Sequence, residues 1–333
     1  MPGLVSSSAS PGAHTASGLS LRYADAVTAA ARLAGNARVL GVVGYGGLLP
    51  GAVAQSRAFV QAPLLPAAGG PYFEIWEAAC ATSLCRTGMV SGAYGDGLAF
   101  GAVDLADVPG GGLEEVVELA YDAIFDFLDE TGCTEPVRFW NYLAAITDDD
   151  QGMERYRRFN IGRHRAYLAR LRQSVPPAAS CLGAVNGGSM IYFLAAREAA
   201  EAIENPRQMS AYAYPPVYGP CSPSFSRAGR LGAALFISGT ASITGHETRH
   251  RGDLTGQVAE TMENLRALIG NAGMTAGRGQ DWAFKTYLRD PLYQAAIEPA
   301  LDAMFGPECQ KLYLTADICR TDLLMEIEAF HSP

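Results

Sequence analysis

The residue whose type and position most clearly suggest a chemical role lies near the C-terminus. Glu326 stands in the run LLMEIEAF, residues 323–330, whose alternation of residue types predicts a β-strand. In such a strand Leu324, Glu326 and Glu328 share one face. If that face is solvated, both carboxylates are ordinary surface groups. If it borders a partly apolar cleft, burial raises the carboxyl pKa and leaves an acid that is protonated near neutral pH. The second environment would make Glu326 a general acid.

Cysteine and histidine show no metal-binding pattern. The seven cysteines are dispersed and include no CxxC pair, so we expect neither a disulfide framework nor a zinc site. His246 and His250 are spaced i, i+4 around Glu247 in the run HETRH. That run follows the strand-like ALFISGTASI, whereas a metal motif of this spacing requires a helix. The sequence also lacks the glycine motifs that bind dinucleotides and phosphates, so it predicts no cofactor and no metal.

A segment rich in tyrosine and proline stands between two regions of regular pattern. Tyr212, Tyr214 and Tyr218 are interleaved with prolines, and Arg227 follows them. Proline does not fit a central strand, so the segment predicts a long, stiff loop. A flexible linker would use glycine and serine instead. We therefore expect a pocket wall, the alternative being a linker whose tyrosines only pack.

Two amphipathic helices are predicted, at residues 113–130 and 254–272. Each has an apolar stripe of helical spacing and ends at a glycine. Strand-like runs flank both helices in the same order: strand, strand, helix, strand, helix, strand. The repeat is too long for a solenoid unit and indicates a duplicated domain. The alternative is that any α/β protein offers two similar helices among strands.

The composition is that of a globular protein and argues against several classes of function. Of the 333 residues, 49% are hydrophobic and 18% charged, and the net charge is −9 with a pI near 5.1. Nucleic-acid binding needs a basic face, which the scattered Lys and Arg do not supply. No apolar run reaches the ~20 residues that cross a bilayer. Residues 1–18 lack the features of a signal peptide and indicate a loose tail, so we expect a cytoplasmic protein.

The second half of the chain resembles the RidA (YjgF/UK114) superfamily of small trimeric proteins. The resemblance is carried by FISGTAS (236–242), DLTGQVAETMENLRALIGNAG (253–273), FKTYL (284–288) and LLMEIEAF. It implies an α+β fold of two RidA-like mixed β-sheet domains, with helices packed on the sheets, in a pseudo-trimeric arrangement. The implied segments are a flexible tail (1–18), a degenerate copy (19–205) and a second copy that starts with the Tyr/Pro loop (206–333). Glu326 falls on the glutamate that lines the pocket of that superfamily.

A narrower resemblance covers nearly the whole chain. The runs RFNIGRHRAYL (158–168), YPPVYGPCSPSFSRA (214–228), FISGTASITGHETRH (236–250) and YLTADICRTDLLMEIEA (313–329) resemble the chorismatases, which carry two RidA-like halves in one chain. The resemblance implies an enzyme that splits chorismate into pyruvate and a hydroxybenzoate without a cofactor. Glu326 would be the general acid that protonates the enolpyruvyl methylene.

The same resemblance suggests substrate-binding residues. Chorismate is a dicarboxylate, and the guanidinium fork matches a carboxylate, so Arg163 and Arg227 are the candidates for binding it. Arg163 stands in the cation-rich run RRFNIGRHR, where a solvated helix face is the alternative. Tyr214 and Tyr218 offer hydroxyls and ring faces, and Thr240 is a further candidate.

Two positions bear on the product. In chorismatases the position of Cys319 varies with the product, and cysteine accompanies release of a hydroxybenzoate in place of a dihydroxycyclohexadiene. Gly239 is a second such position, since a missing side chain leaves room beside the ring. The resemblance thus implies a hydroxybenzoate as product. Some chorismatases yield 3-hydroxybenzoate and others both 3- and 4-hydroxybenzoate, the latter in aryl-polyene pigment and quinone pathways, and we expect the mixed-product type. Without the resemblance, a lone cysteine such as Cys319 is usually a small buried hydrophobe.

Three alternatives remain open. A RidA-like enamine or imine deaminase would need an arginine in a PxR context before the last strands, where residues 307–311 of this chain read PECQK. A chorismatase that releases dihydroxycyclohexadiene carboxylate, and a non-catalytic small-molecule sensor, would use the same cleft. We expect a monomer or a small homo-oligomer, with no nucleic-acid or membrane partner.

Overall fold

The computed structural model describes residues 18–51 and 58–333. The predicted tail, residues 1–18, lies outside the described residues except for Gly18. Within the described residues the strands form two seven-stranded sheets, one four-stranded sheet and two short hairpins. No helix in the described ranges is both long enough and apolar enough to cross a bilayer.

The three large sheets are named here by their order in the chain. The N-terminal sheet contains β1 (Ser20–Asp25), β2 (Val39–Tyr45), β3 (Phe59–Ala62) and β5 (Tyr72–Glu77). The middle sheet contains β6 (Ser83–Thr87), β7 (Val90–Gly95), β8 (Leu98–Asp104), β9 (Glu135–Ala144), β12 (Ala178–Ala184), β13 (Met190–Ala196) and β21 (Asp317–Ile318). The C-terminal sheet contains β4 (Leu65–Pro66), β14 (Glu201–Ile203), β15 (Ala228–Leu231), β16 (Ala234–Thr240), β19 (Trp282–Leu288), β20 (Gln310–Thr315) and β22 (Met325–His331). The hairpins are β10 (Asp149–Asp150) with β11 (Met153–Glu154), and β17 (Ile243–Thr244) with β18 (Glu247–Thr248).

Five helices are described in full: α1 (Ala26–Leu33), α2 (Leu113–Thr131), α3 (Arg155–Arg170), α4 (Leu254–Asn271) and α5 (Gln294–Phe305). The two predicted amphipathic helices, α2 and α4, are confirmed to within one residue at each end. Gly132, at φ 68°, ends α2, and the Asp253 side chain caps α4 by accepting a hydrogen bond from the Gly256 amide.

The middle and C-terminal sheets repeat one topology, which confirms the predicted duplication. Along the chain the first copy runs β7, β8, α2, β9, α3, β12, β13 and the second runs β15, β16, α4, β19, α5, β20, β22. In each copy the last strand lies antiparallel between two others: β13 between β8 and β9, and β22 between β16 and β19. In each copy one of these neighbours also pairs in parallel with a further strand: β9 pairs with β12, and β19 pairs with β20. The α+β class with two related mixed sheets is therefore confirmed.

Each copy contains one strand more than the sequence pattern predicted. The additional strands are β12 and β20, the strands that close the parallel pairs. β12 reads AASCLGA, a run of small residues with weak β-propensity, so it gave no strand signal. Its burial along the whole length, between the two copies, is what makes it a strand.

The N-terminal sheet is a shorter version of the same unit. β5 lies antiparallel between β1 and β2, β2 pairs in parallel with β3, and α1 connects β1 to β2. The C-terminal sheet has the same arrangement: β22 lies between β16 and β19, β19 pairs in parallel with β20, and α4 connects β16 to β19. Three related sheets thus surround a common core, which gives the pseudo-trimeric arrangement its structural basis.

The shared core contains aromatic residues from all three sheets. Trp76 of the N-terminal sheet contacts Trp140 of the middle sheet and Phe330 of the C-terminal sheet, with ring centroids 5.7 and 5.0 Å apart. Burial of such rings contributes most of the apolar stabilisation available to a core.

Strands exchanged between the sheets bind the copies together. β4, from the first hundred residues, pairs with β20 in the C-terminal sheet, and β21, from the C-terminal part, pairs with β12 in the middle sheet. β14, at residues 201–203, already belongs to the C-terminal sheet. The division at residue 205 remains a prediction.

Candidate active site

A cavity of about 730 Å³ opens where the middle sheet meets the C-terminal sheet. Strand β12 lines it with Ser180 and Cys181, and β16 and β22 line it with Gly239 and Glu326. The two sheets are joined at this point because the Ala179 amide of β12 donates to Ser238 Oγ of β16, at 3.0 Å. Paired strands therefore form the floor of the cavity.

Glu326 lies on this floor and is only 6% exposed. Its strand face is therefore a cleft face and not a solvated one. Burial raises the pKa of its carboxyl to about 8, and the negative Glu328 adds to the rise. The positive charges of Arg138, Arg227 and Arg320 oppose the shift without cancelling it. A carboxyl in this environment holds its proton at neutral pH.

A β-bulge makes room for this carboxyl. Ile237 pairs with Ala329 and Thr240 with Ile327, so two residues, Ser238 and Gly239, face one residue on β22. A Cβ built on Gly239 would overlap Glu326 Oε1. The bulge glycine is thus required by the close approach of the acid.

Arg163 is one of the most deeply buried cations of the chain, at 1% exposure, and it lines the cavity from α3. Its Nη2 donates to Asn160 Oδ1 at 2.8 Å and its guanidinium lies 5.0 Å from the Phe159 ring, while Nε has no partner. The solvated helix face is formed instead by neighbours such as Arg158 and Arg165, which pair with glutamates of α2.

The Tyr/Pro segment forms a wall of the cavity, as predicted. Arg227 donates from Nη2 to Tyr214 Oη at 2.8 Å and to the Met209 carbonyl at 2.7 Å, and its Nε lacks a partner. The Tyr218 hydroxyl donates to the His246 carbonyl at 2.6 Å, and its ring lies 5.1 Å from that of Tyr214. The segment includes two short 3-10 turns, Ala211–Ala213 and Pro216–Tyr218.

Arg320 is a cavity residue that sequence reasoning missed. Its guanidinium lies 4.5 Å from the Tyr218 ring and 5.5 Å from the Tyr214 ring, and Nη1 donates to the His246 carbonyl at 2.9 Å. It therefore joins the Tyr/Pro wall to the β17/β18 hairpin. Its position next to Cys319, inside the DICR run, was the available signal.

Two cysteines, Cys181 and Cys319, line the cavity. Ile318 pairs antiparallel with Leu182, so Cys319 and Cys181 occupy the next position of the same register. Burial, followed by the Glu326 carboxyl, raises the pKa of Cys319 to about 12, and burial raises the pKa of Cys181 as well. Both are therefore neutral thiols at physiological pH.

Thr240 is not brought to the cavity with the other candidates. Its hydroxyl donates to the Ser238 carbonyl at 3.0 Å, inside the bulge, and the side chain is buried. It belongs to the strand that supports Gly239. The residues brought together at the cavity are Glu326, Cys319, Arg163, Arg227, Tyr214, Tyr218 and Gly239.

The HETRH run forms β18 and its flanks, and not a helix. His246 Nδ1 lies 3.2 Å from the Tyr218 hydroxyl, and His250 lies 3.7 Å from Glu260. Among the described residues no group of three or more His, Cys, Asp or Glu side chains is arranged to hold a metal ion.

The charge of the cavity lining favours an anionic ligand. Six arginines line it, against four carboxyl side chains, of which Glu326 is neutral at pH 7. The arginines are Arg157, Arg163, Arg227, Arg249, Arg251 and Arg320. Guanidinium groups pair with carboxylates through two parallel hydrogen bonds, so a small polycarboxylate with an apolar ring fits this lining.

Comparisons with known proteins identify the family of the chain. A family model described as Chorismatase FkbO/Hyg5-like, N-terminal, matches residues 74–195. A 3-hydroxybenzoate synthase of Streptomyces hygroscopicus is 40% identical over 238 residues, which are 66% of this chain and 70% of that protein. A chorismatase of Streptomyces hygroscopicus is 33% identical over 271 residues, 77% of this chain and 78% of that protein.

The fold agrees over almost the full length. A crystal structure of a chorismatase superposes with a TM-score of 0.79 at 28% identity, covering 95% of this chain and 98% of that one. The chain belongs to the chorismatase family. It is an enzyme of chorismatase type, as the resemblance of its motifs implied.

Proposed function

We propose that this enzyme cleaves chorismate into pyruvate and 3-hydroxybenzoate, with Glu326 as the general acid. The single observation that carries the proposal is a buried carboxyl, with its pKa raised by that burial, on the floor of an arginine-lined cavity. The 40% identity to a 3-hydroxybenzoate synthase supports this product. The expectation that 4-hydroxybenzoate is formed as well rests on the motif resemblance alone.

The chemistry follows from the enol ether. Glu326 gives its proton to the enolpyruvyl methylene carbon, which becomes a methyl group and leaves an oxocarbenium ion. Water adds to that carbon, and the resulting hemiketal collapses with cleavage of its bond to the ether oxygen, which takes up a proton and stays on the ring as a hydroxyl while pyruvate is released. The neighbouring ring hydroxyl then leaves as water together with the hydrogen of the carbon that carries the former ether oxygen, which gives the aromatic acid. The conversion as a whole is redox-neutral.

Two arginines are suited to hold the two carboxylates of chorismate. Arg163 and Arg227 are each more than nine-tenths buried, both line the cavity, and each has an Nε without a hydrogen-bond partner. An unpaired buried donor costs about 1–3 kcal/mol, which a bound carboxylate would recover. The rings of Tyr214 and Tyr218, which belong to the Tyr/Pro segment, would form the wall against which the substrate ring packs.

The test is to incubate the purified protein with chorismate, to measure pyruvate by a coupled lactate dehydrogenase assay, and to separate the aromatic products by chromatography. Glu326→Gln should lower turnover at least about a hundredfold, the usual contribution of a general acid. Glu247→Gln, which removes an exposed carboxylate at the cavity mouth, is the matched control and should keep near-normal turnover. Absence of pyruvate with the wild-type protein would overturn the proposal, and normal turnover by Glu326→Gln would remove the acid role.

A RidA-like deaminase finds no support in the geometry. Residues 307–311 precede and begin β20 and do not line the cavity. Supplying an enamine substrate in the same assay, with ammonia as the readout, distinguishes this alternative directly.

A further inference from the structure

Behind the cavity floor lies a buried cluster of four charged residues. Glu328 is the member closest to the site, and all its acceptor directions are used. Its Oε1 accepts from Trp140 Nε1 at 2.6 Å and from Lys285 Nζ at 3.0 Å. Its Oε2 accepts from Arg138 Nη2 and from Ser180 Oγ, both at 2.8 Å. Although burial raises it, the pairing with Lys285 and Arg138 holds the pKa of Glu328 below its ordinary value.

The cluster is balanced in charge and joins the three sheets. Lys285 also pairs with Glu74 of the N-terminal sheet at 2.6 Å, so two cations meet two carboxylates. Glu74 is further held by Tyr45 and by the Trp76 indole. Because each ion has its partners, the cluster is a rigid support and not a site of proton exchange.

Ser180 connects this cluster to the cavity. Its hydroxyl donates to Glu328 Oε2 and accepts from Arg138 Nη2 at 2.5 Å and from the Gly239 amide at 2.9 Å. All hydrogen-bonding positions of the hydroxyl are therefore occupied, which fixes its orientation. Ser180 also lines the cavity, so the connection ends at the site itself.

The last step runs from Gly239 to the acid. The Glu326 carboxyl lies against the Cα face of Gly239, in contact close enough that a Cβ there would overlap Oε1. The bulge would leave the Gly239 amide without a ladder partner, and Ser180 supplies one. The position of the carboxyl is therefore set by a peptide group that Ser180 holds.

We propose that Glu328 and Ser180 are positioning residues for Glu326: Glu328, anchored by Lys285 and Arg138, orients Ser180, and Ser180 fixes the Gly239 backbone against which the acid rests. Neither residue needs to contact the reacting carbon. The proposal deepens the proposed function and rests on it, since it concerns the residue that donates the proton.

The same arrangement acts on Glu326 through charge. The ionisable groups that face Glu326 are Glu328 on its own strand, Arg138 on β9, Cys181 on β12, Tyr156 on α3, and Arg227, Cys319 and Arg320 on the loops around the cavity. Of these, Glu328 is the fixed anion and it favours the protonated acid, whereas the arginines favour the ionised form. Removing the charge of Glu328 makes Glu326 easier to ionise, so the protonated form is lost at a lower pH.

The experiment compares Glu328→Gln with Glu74→Gln. Both variants remove one carboxylate from the same cluster and from the same lysine, but only Glu328 bonds to Ser180. We expect Glu328→Gln to move the alkaline midpoint of kcat/KM for pyruvate release down by about one pH unit, and Glu74→Gln to leave it in place. Equal midpoints in the two variants would overturn the proposal, because the cluster would then act only through stability.

A second measurement does not depend on turnover. With ¹³C-carboxyl-labelled glutamate, the Glu326 resonance is assigned by its loss in Glu326→Gln and titrated in wild type and in both cluster variants. The same downward shift is expected in Glu328→Gln alone. If the wild-type protein releases no pyruvate but the Glu326 resonance shifts as described, the proposed function is wrong and the proposed effect of Glu328 on Glu326 still holds. If the resonance does not shift, the positioning role of Glu328 is wrong.

Ser180→Ala tests the link while keeping every charge. We expect kcat to fall about tenfold with little change in KM, because the Gly239 amide loses its acceptor and the acid loses its fixed position. Ser189→Ala is the matched control, since Ser189 Oγ also accepts a backbone amide, that of Ala144 at 2.9 Å, away from the cavity. A kcat for Ser180→Ala equal to that of Ser189→Ala would contradict the proposal.

Discussion

The carboxyl pKa values of two glutamates on one strand face, Glu326 and Glu328, are shifted in opposite directions. Glu328 has four donors and its pKa is held low, whereas Glu326 faces the cavity and has its pKa raised to about 8, first by burial and then by Glu328. The alternation of LLMEIEAF predicted that they share a face. It could not separate them, because the partners of Glu328, namely Arg138, Ser180 and Lys285, come from distant parts of the chain.

Cys319 provides a test at the scale of one residue. Since its thiol is neutral and borders the cavity beside Glu326, it contributes shape and a weak donor and no charge. Cys319→Ala should therefore alter the ratio of products by severalfold while changing chorismate consumption less. Product chromatography measures the ratio, with Cys80→Ala, at an exposed position, as the control. Identical product profiles for Cys319→Ala and wild type would show that the position does not direct the product.

Among the elements, helices were easier to predict than the strands that build the site. α2 and α4 carry their own amphipathic signal, so their bounds followed from spacing and caps. β12 carries no such signal, because AASCLGA consists of small residues, yet it supplies Ser180 and Cys181 to the cavity. The local sequence of β12 therefore does not predict a strand, because this segment becomes a strand through its burial between two copies of the unit.

The Tyr/Pro segment and the β17/β18 hairpin are held together by Arg320. Its guanidinium stacks on the Tyr218 ring and donates to the His246 carbonyl, a geometry that a lysine ammonium does not reproduce. Arg320→Lys should raise KM for chorismate about tenfold with a smaller change in kcat, because the wall loses its fixed position. Steady-state kinetics measure both, and Arg172→Lys, on the exposed surface, is the control. A KM within twofold of wild type would contradict this role.

In the molecule as a whole, the three related sheets contain equivalent positions, and at one set of these positions a single sheet carries a carboxyl side chain. Tyr45, Tyr142 and Tyr287 come from the same strand of each copy, and their hydroxyls meet at 3.3 and 3.1 Å. Their cross-strand partners are Tyr72, Met190 and Glu326. The third copy places a carboxyl at this position and the other two do not, which is consistent with the proposal that the acid lies in the cleft beside β22. The pattern of duplication was visible in the sequence for two copies. The N-terminal sheet was not predicted as a further copy, because its described helix, α1, has eight residues and gives only a short amphipathic signal.

The buried charge cluster should dominate global stability. Lys285 is 1% exposed and pairs with both Glu74 and Glu328, so Lys285→Met leaves two buried carboxylates without their shared cation. We expect a loss of about 3–5 kcal/mol in the free energy of unfolding. Urea unfolding measures it, and Lys311→Met, which removes a peripheral ion pair, should cost about 1 kcal/mol or less. Equal losses in the two variants would show that the cluster is not a structural centre.

The pH dependence of kcat/KM for pyruvate release by the wild-type enzyme tests whether the protonated form of Glu326 is the active one, since it reports the protonation state of the free enzyme. A general acid whose pKa is raised to about 8 is active while protonated. We expect kcat/KM to be constant up to about pH 7 and to fall tenfold per pH unit above the pKa. A rate that increases as the pH rises through 8 would show that the ionised carboxylate is the working form and would contradict the account.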